Sequence, residues 1–238
     1  ESLNYRLEPD TTYYFYLKVN TDKVGNYTVK VRTQTDTYSN EQKDAGRIET
    51  DKKYTTSFDG YNDTDFFKFD TGHQEAYYHF DLSLQFKDNT YIRYYLYDSQ
   101  GNEIGYHRTY SGDFPRSVNY KLDPDSTYYF CMVKDTDLIG NYTIKVNVQT
   151  DGHANEQDGA MTIQRDTEYT ASFDGYGDID CFTFTTASEN AYYYINWKLL
   201  FGDNTYLHCY LHDEAGNEVG DHTVYSSYFP KSVNYLLE

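Results

Sequence analysis

The sequence predicts an all-β protein: two tandem antiparallel β-sandwich domains, jelly-roll-like, in series. Three observations carry this. Strand-favouring residues dominate, with 30 Tyr and 14 Phe among 238 residues and only 4 Pro, and aromatic and β-branched side chains fit a pleated, half-buried surface. Turn signals recur about every eight to twelve residues, and no segment of useful length has a helical period. The pattern then repeats without a gap: Asn4-Tyr5 returns at Asn119-Tyr120 and at Asn234-Tyr235, a period of 115 residues. A period of that size is a domain, not a solenoid repeat.

Taken along the chain, YRLEPDTTYYF (5–15) matches YKLDPDSTYYF (120–130), where Pro9-Asp10 and Pro124-Asp125 supply turn chemistry ahead of a strand. GNYTVKV (25–31) matches GNYTIKV (140–146), and SFDGYNDTDFFKF (57–69) matches SFDGYGDIDCFTF (172–184), strands around an acidic turn. In the next strand Ala76, Tyr78, Phe80, Leu82, Leu84 and Phe86 form an apolar row, alternating with a wet row of Tyr77, His79, Asp81, Ser83 and Gln85. Trp197, the only tryptophan, takes the place of Leu82 in the second copy and is expected inside. DNTYIRYYLYDSQGNEIG (88–105) matches DNTYLHCYLHDEAGNEVG (203–220), with turns at Asp98 to Gly101 and Asp213 to Gly216. The domains are expected at 1–118 and 119–238. The repeat also admits a second phase, with 36–150 as a complete unit and 1–35 and 151–238 as partial units, in which the first 35 residues could complete the second sandwich.

Composition narrows the partners. With 38 acidic against 20 basic residues the formal net charge is -18, a field that repels nucleic acid, anionic lipid and acidic polysaccharide. An aromatic content of 19% argues for a folded chain despite the charge. No apolar run is long enough to span a bilayer, so no membrane insertion is expected. No basic, apolar leader opens the sequence, so any export signal is expected to have been removed or to lie outside these residues. Cys131, Cys181 and Cys209 stand where the first copy has Tyr16, Phe66 and Tyr94, and read as buried small apolar side chains, not as a disulfide framework. No Cys-x-x-Cys or His-Glu-x-x-His spacing and no nucleophile or phosphate-loop motif is present, so zinc is not expected. No enzymatic activity is expected.

Two groups of residues carry candidate chemistry. Asp59, Asp63 and Asp65, repeated as Asp174, Asp178 and Asp180, place hard oxygen donors within seven residues of a turn. Calcium requires such donors, while the plain alternative is a solvated turn whose aspartates cap backbone amides. The second group is aromatic: Tyr61 and Tyr176 in the acidic turns, Tyr77 and Tyr192 on the wet row, Tyr110 and Tyr225 in the last loop of each unit, and Trp197 should it be exposed. A ring face stacks on the C–H face of a sugar while neighbouring polar groups bond its hydroxyls. The same rings suit the groove of a collagen triple helix. Each could equally serve only the core.

From Asp36, the order DTYSNEQKDAGRIETDKKYTTSFDGYNDTDFFKFDT, YYLYDSQGNEI, NYKLDPDSTYYFCMV and GNYTIKV resembles the bacterial pre-peptidase C-terminal domain, a family that includes the collagen-binding modules of secreted clostridial collagenases. The resemblance rests on Asp63, Asp65, Phe66 and Phe69, repeated as Asp178, Asp180, Cys181 and Phe184, on the Leu-Tyr-Asp turn strand and on the Tyr-Tyr-Phe strand. It implies an accessory, non-catalytic domain that binds a polymer and sometimes calcium. In that family a segment ahead of the first strand completes the calcium site, and Asn40, Glu41, Asn155 and Glu156 occupy that region here. The expected function is an extracellular or cell-surface module, a monomer within a larger multidomain protein. Its expected ligand is a neutral polysaccharide such as a starch-like α-glucan; a collagen-like protein, or a purely structural spacer, is the alternative. Duplication suits a repeating ligand, because linked weak sites gain from effective concentration.

Overall fold

A computed structural model describes residues 5–86, 89–136, 139–200, 205–225 and 231–237. The described chain is almost wholly β, with two short 3-10 turns at Gln42–Asp44 and Ser111–Asp113. No helix among the described residues is long and apolar enough to cross a membrane. The chain divides into two compact units, the first running to Met161 and adding Glu168–Phe182, the second comprising Thr162–Thr167 and the chain from Thr183.

The first unit is a complete two-sheet sandwich. Its strands are β1 (Gly46–Arg47), β2 (Lys53–Phe58), β3 (Thr64–Asp70), β4 (Ala76–Leu84), β5 (Tyr91–Tyr97), β6 (Glu103–Tyr110), β7 (Arg116–Leu122), β8 (Thr127–Lys134) and β9 (Gly140–Thr150). One sheet has the order β1-β3-β8-β5-β6 and the other β2-β9-β4-β7. Setting aside the short parallel β1, this is the antiparallel double Greek key of a jelly roll. Strands β8 and β9, the last in sequence, lie inside the two sheets. Each fills both neighbours' ladders: β8 pairs with β3 and β5, and β9 with β2 and β4.

Alternation builds the core. Phe67 and Phe69 of β3, Phe80 and Leu82 of β4, Ile92, Tyr94 and Leu96 of β5, Phe130 and Met132 of β8, and Tyr142, Ile144 and Val146 of β9 are all buried. Phe80 stacks on Phe130 across the two sheets at 4.6 Å and meets Phe69 edge-on at 5.5 Å. Tyrosine also clamps turns to strands, its hydroxyl oxygen accepting a backbone N–H five or six residues earlier. Glu49 donates to Tyr54 (2.9 Å), Gly72 to Tyr78 (2.9 Å) and Asp123 to Tyr128 (3.2 Å).

The repeat is not uniform in structure. Residues 5–35 form no strand, although the clamp from Glu8 N–H to the Tyr13 oxygen (3.0 Å) matches that of Asp123 and Tyr128. The same sequence forms β7 and β8 where β3, β4 and β5 offer ladders, and these residues have no such neighbours. Tyr14 and Tyr16 are accordingly 79% and 84% exposed. Residues 5–35 thus add no strand to the sheets of the described residues. The two-residue strands β10 (Met161–Thr162) and β11 (Phe182–Thr183) each fall across the division, and the second unit holds β12 (Ala191–Trp197), β13 (Tyr206–His212), β14 (Glu218–Tyr225) and β15 (Lys231–Leu237). Among the described residues these make two separate antiparallel pairs, β12 with β15 and β13 with β14. They correspond to β4, β7, β5 and β6 of the first unit.

A boundary at residue 118 falls inside β7 and separates both central strands from the sheets they complete. A fragment of residues 36–150 is expected to unfold in one cooperative thermal transition, and residues 1–118 to show none by circular dichroism. A cooperative melt of residues 1–118 would reverse that reading.

Candidate functional site

The acidic turn between β2 and β3 is closed by its own carboxylates. Asn62 takes a positive φ of 54°, and Asp63 accepts a hydrogen bond from the Asp59 backbone N–H at 2.6 Å. Asp59 accepts from Ser57 Oγ (2.6 Å), Gln34 Nε2 (3.1 Å) and the Thr37 N–H (2.9 Å). Asp59 thus staples the incoming segment and is not part of the cation cluster. That segment brings in Asp36, a residue the sequence reading missed. Ligand oxygens of Asp36, Asp63 and Asp65 all lie within 4.8 Å of one another. Asn40 bridges the group, donating to Asp36 at 2.5 Å and accepting from Thr64 N–H at 2.9 Å. Its spacing from Asp36 recurs in Asp151 and Asn155, the signal that could have found it. Glu41 points elsewhere, exposed and paired with Lys43 at 2.8 Å.

Asp65 lies on the inner row of β3 and is completely buried. One oxygen accepts the hydroxyl of Tyr142 from the opposite sheet; the other, Oδ1, is buried without a hydrogen-bond partner. Desolvation pushes its pKa up to about 9, against the Tyr142 hydrogen bond and with help from the Asp63, Asp36 and Asp59 charges. Desolvation likewise carries Asp63 to about 6, with the Asp36 and Asp59 charges adding to it. Such an orphaned buried oxygen beside two further carboxylates is an environment short of positive charge. Hard oxygen donors fit calcium there.

The second copy repeats the turn but uses its oxygens differently. Asp174 N–H donates to Asp178 at 2.6 Å, Asp174 accepts from Gly152 N–H at 2.7 Å and from Gln149 at 3.1 Å, and Asn155 holds Asp151. The free oxygen of Asp178, however, takes the Tyr77 hydroxyl at 3.0 Å. Asp180 faces His153 at 3.5 Å, where the first copy has Tyr38. Glu156 is exposed. Among the described residues only the first copy's carboxylates converge as a cation site.

The aromatic candidates scatter. Tyr61, Tyr176 and Tyr192 are exposed, at 53%, 89% and 65%. Tyr77, expected on a wet row, is 1% exposed because the turn of residues 174–178 lies over it. A Cβ on Gly175 would sit 2.0 Å from the Tyr77 ring, so only glycine allows this approach. Around it the Asp174 carbonyl meets His79 Nε2 at 2.9 Å, and Tyr176 N–H donates to Asn119 Oδ1 at 2.6 Å. Tyr110 and Tyr225 end strands β6 and β14 and are half-buried, edge-on to Tyr91 at 5.2 Å and Tyr206 at 4.9 Å, so neither is a loop platform. Trp197 is half-buried on the same row of β12 as Tyr193 and Ile195.

An aromatic face the sequence reading did not single out covers the outer side of the five-stranded sheet. Register places Phe66, Cys131, Tyr95 and Tyr106 in one row across β3, β8, β5 and β6, with Tyr129 and Tyr97 in the next. Tyr95 and Tyr97 stack at 6.0 Å, Tyr95 meets Tyr106 at 4.9 Å, and Phe66 meets Tyr97 at 6.3 Å. Arg108 lies over Tyr91 at 3.9 Å. Cys131 is buried, as expected, but under these rings and not between the sheets, and desolvation pushes its thiol up to about 12. Cys181 and Cys209 are only half-buried. Desolvation also takes the Tyr97 phenol to about 12, so it stays neutral. The alternation of YIRYYLY, with Tyr91, Arg93, Tyr95 and Tyr97 outward, is the signal that could have revealed this face. In the second unit the equivalent ladder on β13 is Tyr206, His208, Tyr210 and His212, with successive rings from His208 stacked at 6.3 and 6.4 Å.

No protein-family model and no curated protein matches the sequence. Among solved structures, the chain is similar to the pre-peptidase C-terminal domain of a collagenase from Bacillus anthracis. That likeness has a TM-score of 0.37 and 18% identity and covers 45% of this chain and 99% of that one. This is the domain type that the motifs from Asp36 resemble. A second similar structure is PliG, a periplasmic inhibitor of g-type lysozyme from Aeromonas hydrophila, with a TM-score of 0.33 and 11% identity, covering 43% of this chain and 96% of that one.

The acidic cluster sets a pH dependence. A carboxyl whose folded pKa is raised to about 9 from an ordinary 3.8 supports the fold fully only below the lower value, and that support is lost as pH rises toward the upper one. In chelator the melting temperature is therefore expected to fall between about pH 5 and pH 8, and Asp65→Asn, which keeps an acceptor for Tyr142, should flatten that profile. An unchanged slope in the variant would contradict the assignment.

Proposed function

We propose that this chain is a non-catalytic module of an extracellular or periplasmic protein that binds an uncharged polymer on the outer aromatic face of its five-stranded sheet. The observation that carries the reading is the row of Phe66, Tyr95 and Tyr106 with Tyr97 beside it, rings held in place by the ladder of a jelly roll and not enclosed by the core. Strands fix these rings without ordering a loop on binding, which reduces the entropy cost of association. Their neutral phenols suit a ligand that the net charge of -18 does not repel. A neutral polysaccharide, with a starch-like α-glucan first, meets both conditions through C–H stacking. The second reading is a collagen-like protein, favoured by the motif resemblance from Asp36 and by Arg93 and Arg108 on the same face, whose guanidinium groups can donate to backbone carbonyls.

Calcium belongs to this reading as a structural ion. Asp36, Asp63 and Asp65 would hold it, with Asn40 fixing Asp36, and its charge would relieve the repulsion between the buried carboxylates. Calcium at about a hundredfold over its dissociation constant is expected to raise the melting temperature at pH 8 by about 5–10 °C. Asp65→Asn should lose most of that shift; no shift in the parent chain would remove the ion from the proposal.

Affinity electrophoresis through glucan and xylan gels, beside a pull-down on insoluble collagen, tests the ligand. Retardation in a glucan gel is expected, weakened about 5- to 10-fold by Tyr95→Ala or Tyr106→Ala with little change in melting temperature. Capture by collagen alone would select the second reading, and neither response would leave the module a spacer.

A further inference from the structure

Two copies of the same glycine turn occur in this chain, and only one of them touches an aromatic ring. The turn of residues 174–178 seats on the outer face of the four-stranded sheet by four contacts: the bare Gly175 against Tyr77, the Tyr77 hydroxyl donating to Asp178, the Asp174 carbonyl against His79, and the Tyr176 N–H on Asn119. Two of those bonds go to backbone atoms of the turn, so any copy of it with the same conformation can make them. Tyr176 itself stays 89% exposed, so its ring is not the anchor. The anchor is the absence of a Cβ.

Gly60 is the counterpart of Gly175, and nothing around it explains a glycine. A Cβ built there meets nothing within 4 Å, and its φ lies outside the left-handed region. The acceptor is duplicated too. On β12 and β15 of the second unit, Tyr192, Tyr194 and Asn234 stand where Tyr77, His79 and Asn119 stand on β4 and β7, with Tyr194 paired to Asn234 as His79 is paired to Asn119. Tyr192 and Tyr194 are each 65% exposed, and the Tyr194 hydroxyl can donate to a carbonyl as the His79 ring does. Leu236 replaces Lys121 beside Tyr192, making this face the more apolar of the two.

We propose that the Tyr192, Tyr194 and Asn234 face is a docking surface for the Asp59 to Asp63 turn of a second copy of this chain. Donor and acceptor are different surfaces, so the contact between two copies is heterologous. It is small, and the association is correspondingly weak, in the range of about 0.1–1 mM.

A dilution series followed by two-dimensional amide NMR, on the whole chain with calcium present, tests this. As concentration rises, amides of residues 59–63 and of residues 192–194 and 234 are expected to shift together. Gly60→Ala should abolish both sets of shifts while leaving the melting temperature unchanged or slightly raised, since its Cβ meets open space within the chain but a tyrosine ring in the contact. Tyr192→Ala should abolish them as well. No shifts up to about 1 mM, shifts confined to other residues, or shifts that persist in Gly60→Ala would each overturn the proposal.

Discussion

Every strand in this chain must find two flanks of hydrogen-bonding partners or lie at an edge, and that requirement organises the rest. In the first unit it is met by β8 and β9, which arrive last in sequence and enter the middle of sheets whose other strands come earlier. Without them β3 and β5 would face one another across a gap, as would β2 and β4. The core rings of Phe67, Phe80, Tyr94 and Phe130 depend on that closure, since they come from strands that only β8 and β9 bind together. The same sequence that forms β8 is strandless at residues 11–15, where no ladder is offered. Local propensity is alike in the two places, and tertiary partners decide between them.

Tyrosine does three distinct jobs here, which explains its abundance. Tyr78, Tyr94 and Tyr142 fill the core, each with its hydroxyl bonded: to Gly72 N–H, to Thr109 and to Asp65. Tyr78 also belongs to the set that clamps a turn to the strand that follows, a use that survives in both copies, as Gly72 with Tyr78 and Ala187 with Tyr193. The third set, Tyr95, Tyr97 and Tyr106, lies on the outside of the sheet against one another. A phenol suits all three because its ring packs while its oxygen reaches a polar partner.

The acidic turn illustrates how one sequence acquires two roles. In both copies the first aspartate of the turn staples the segment ahead, and the fourth residue after it closes the loop. Around Asp65 the jelly roll is complete, so the carboxylate is sealed against Tyr142 and its remaining oxygen has no partner. Around Asp178 one oxygen takes the Tyr77 hydroxyl, while Asp180 Oδ1 faces His153 at 3.5 Å and, like that of Asp65, has no hydrogen-bond partner. Burial and neighbours, rather than the motif, decide which copy's carboxylates converge.

What the residues determined unaided was periodic and local: the all-β class, the 115-residue duplication, the inward row from Ala76 to Leu82, and the acidic turn with its oxygen donors. Alternation reads faces correctly because successive strand side chains point to opposite sides whatever the partner. The tertiary structure alone decided which strands flank which and which outward residues remain wet. Tyr77 reads as solvent-facing and is buried by Asp178, 101 positions away, while Asp65 reads as an exposed turn residue and is sealed by Tyr142, 77 positions away. Asp36 joined the site for the same reason. Contacts between distant segments carry no periodic trace, so alternation could not announce them, and only the recurrence of the Asp36 to Asn40 spacing in Asp151 and Asn155 pointed to Asp36.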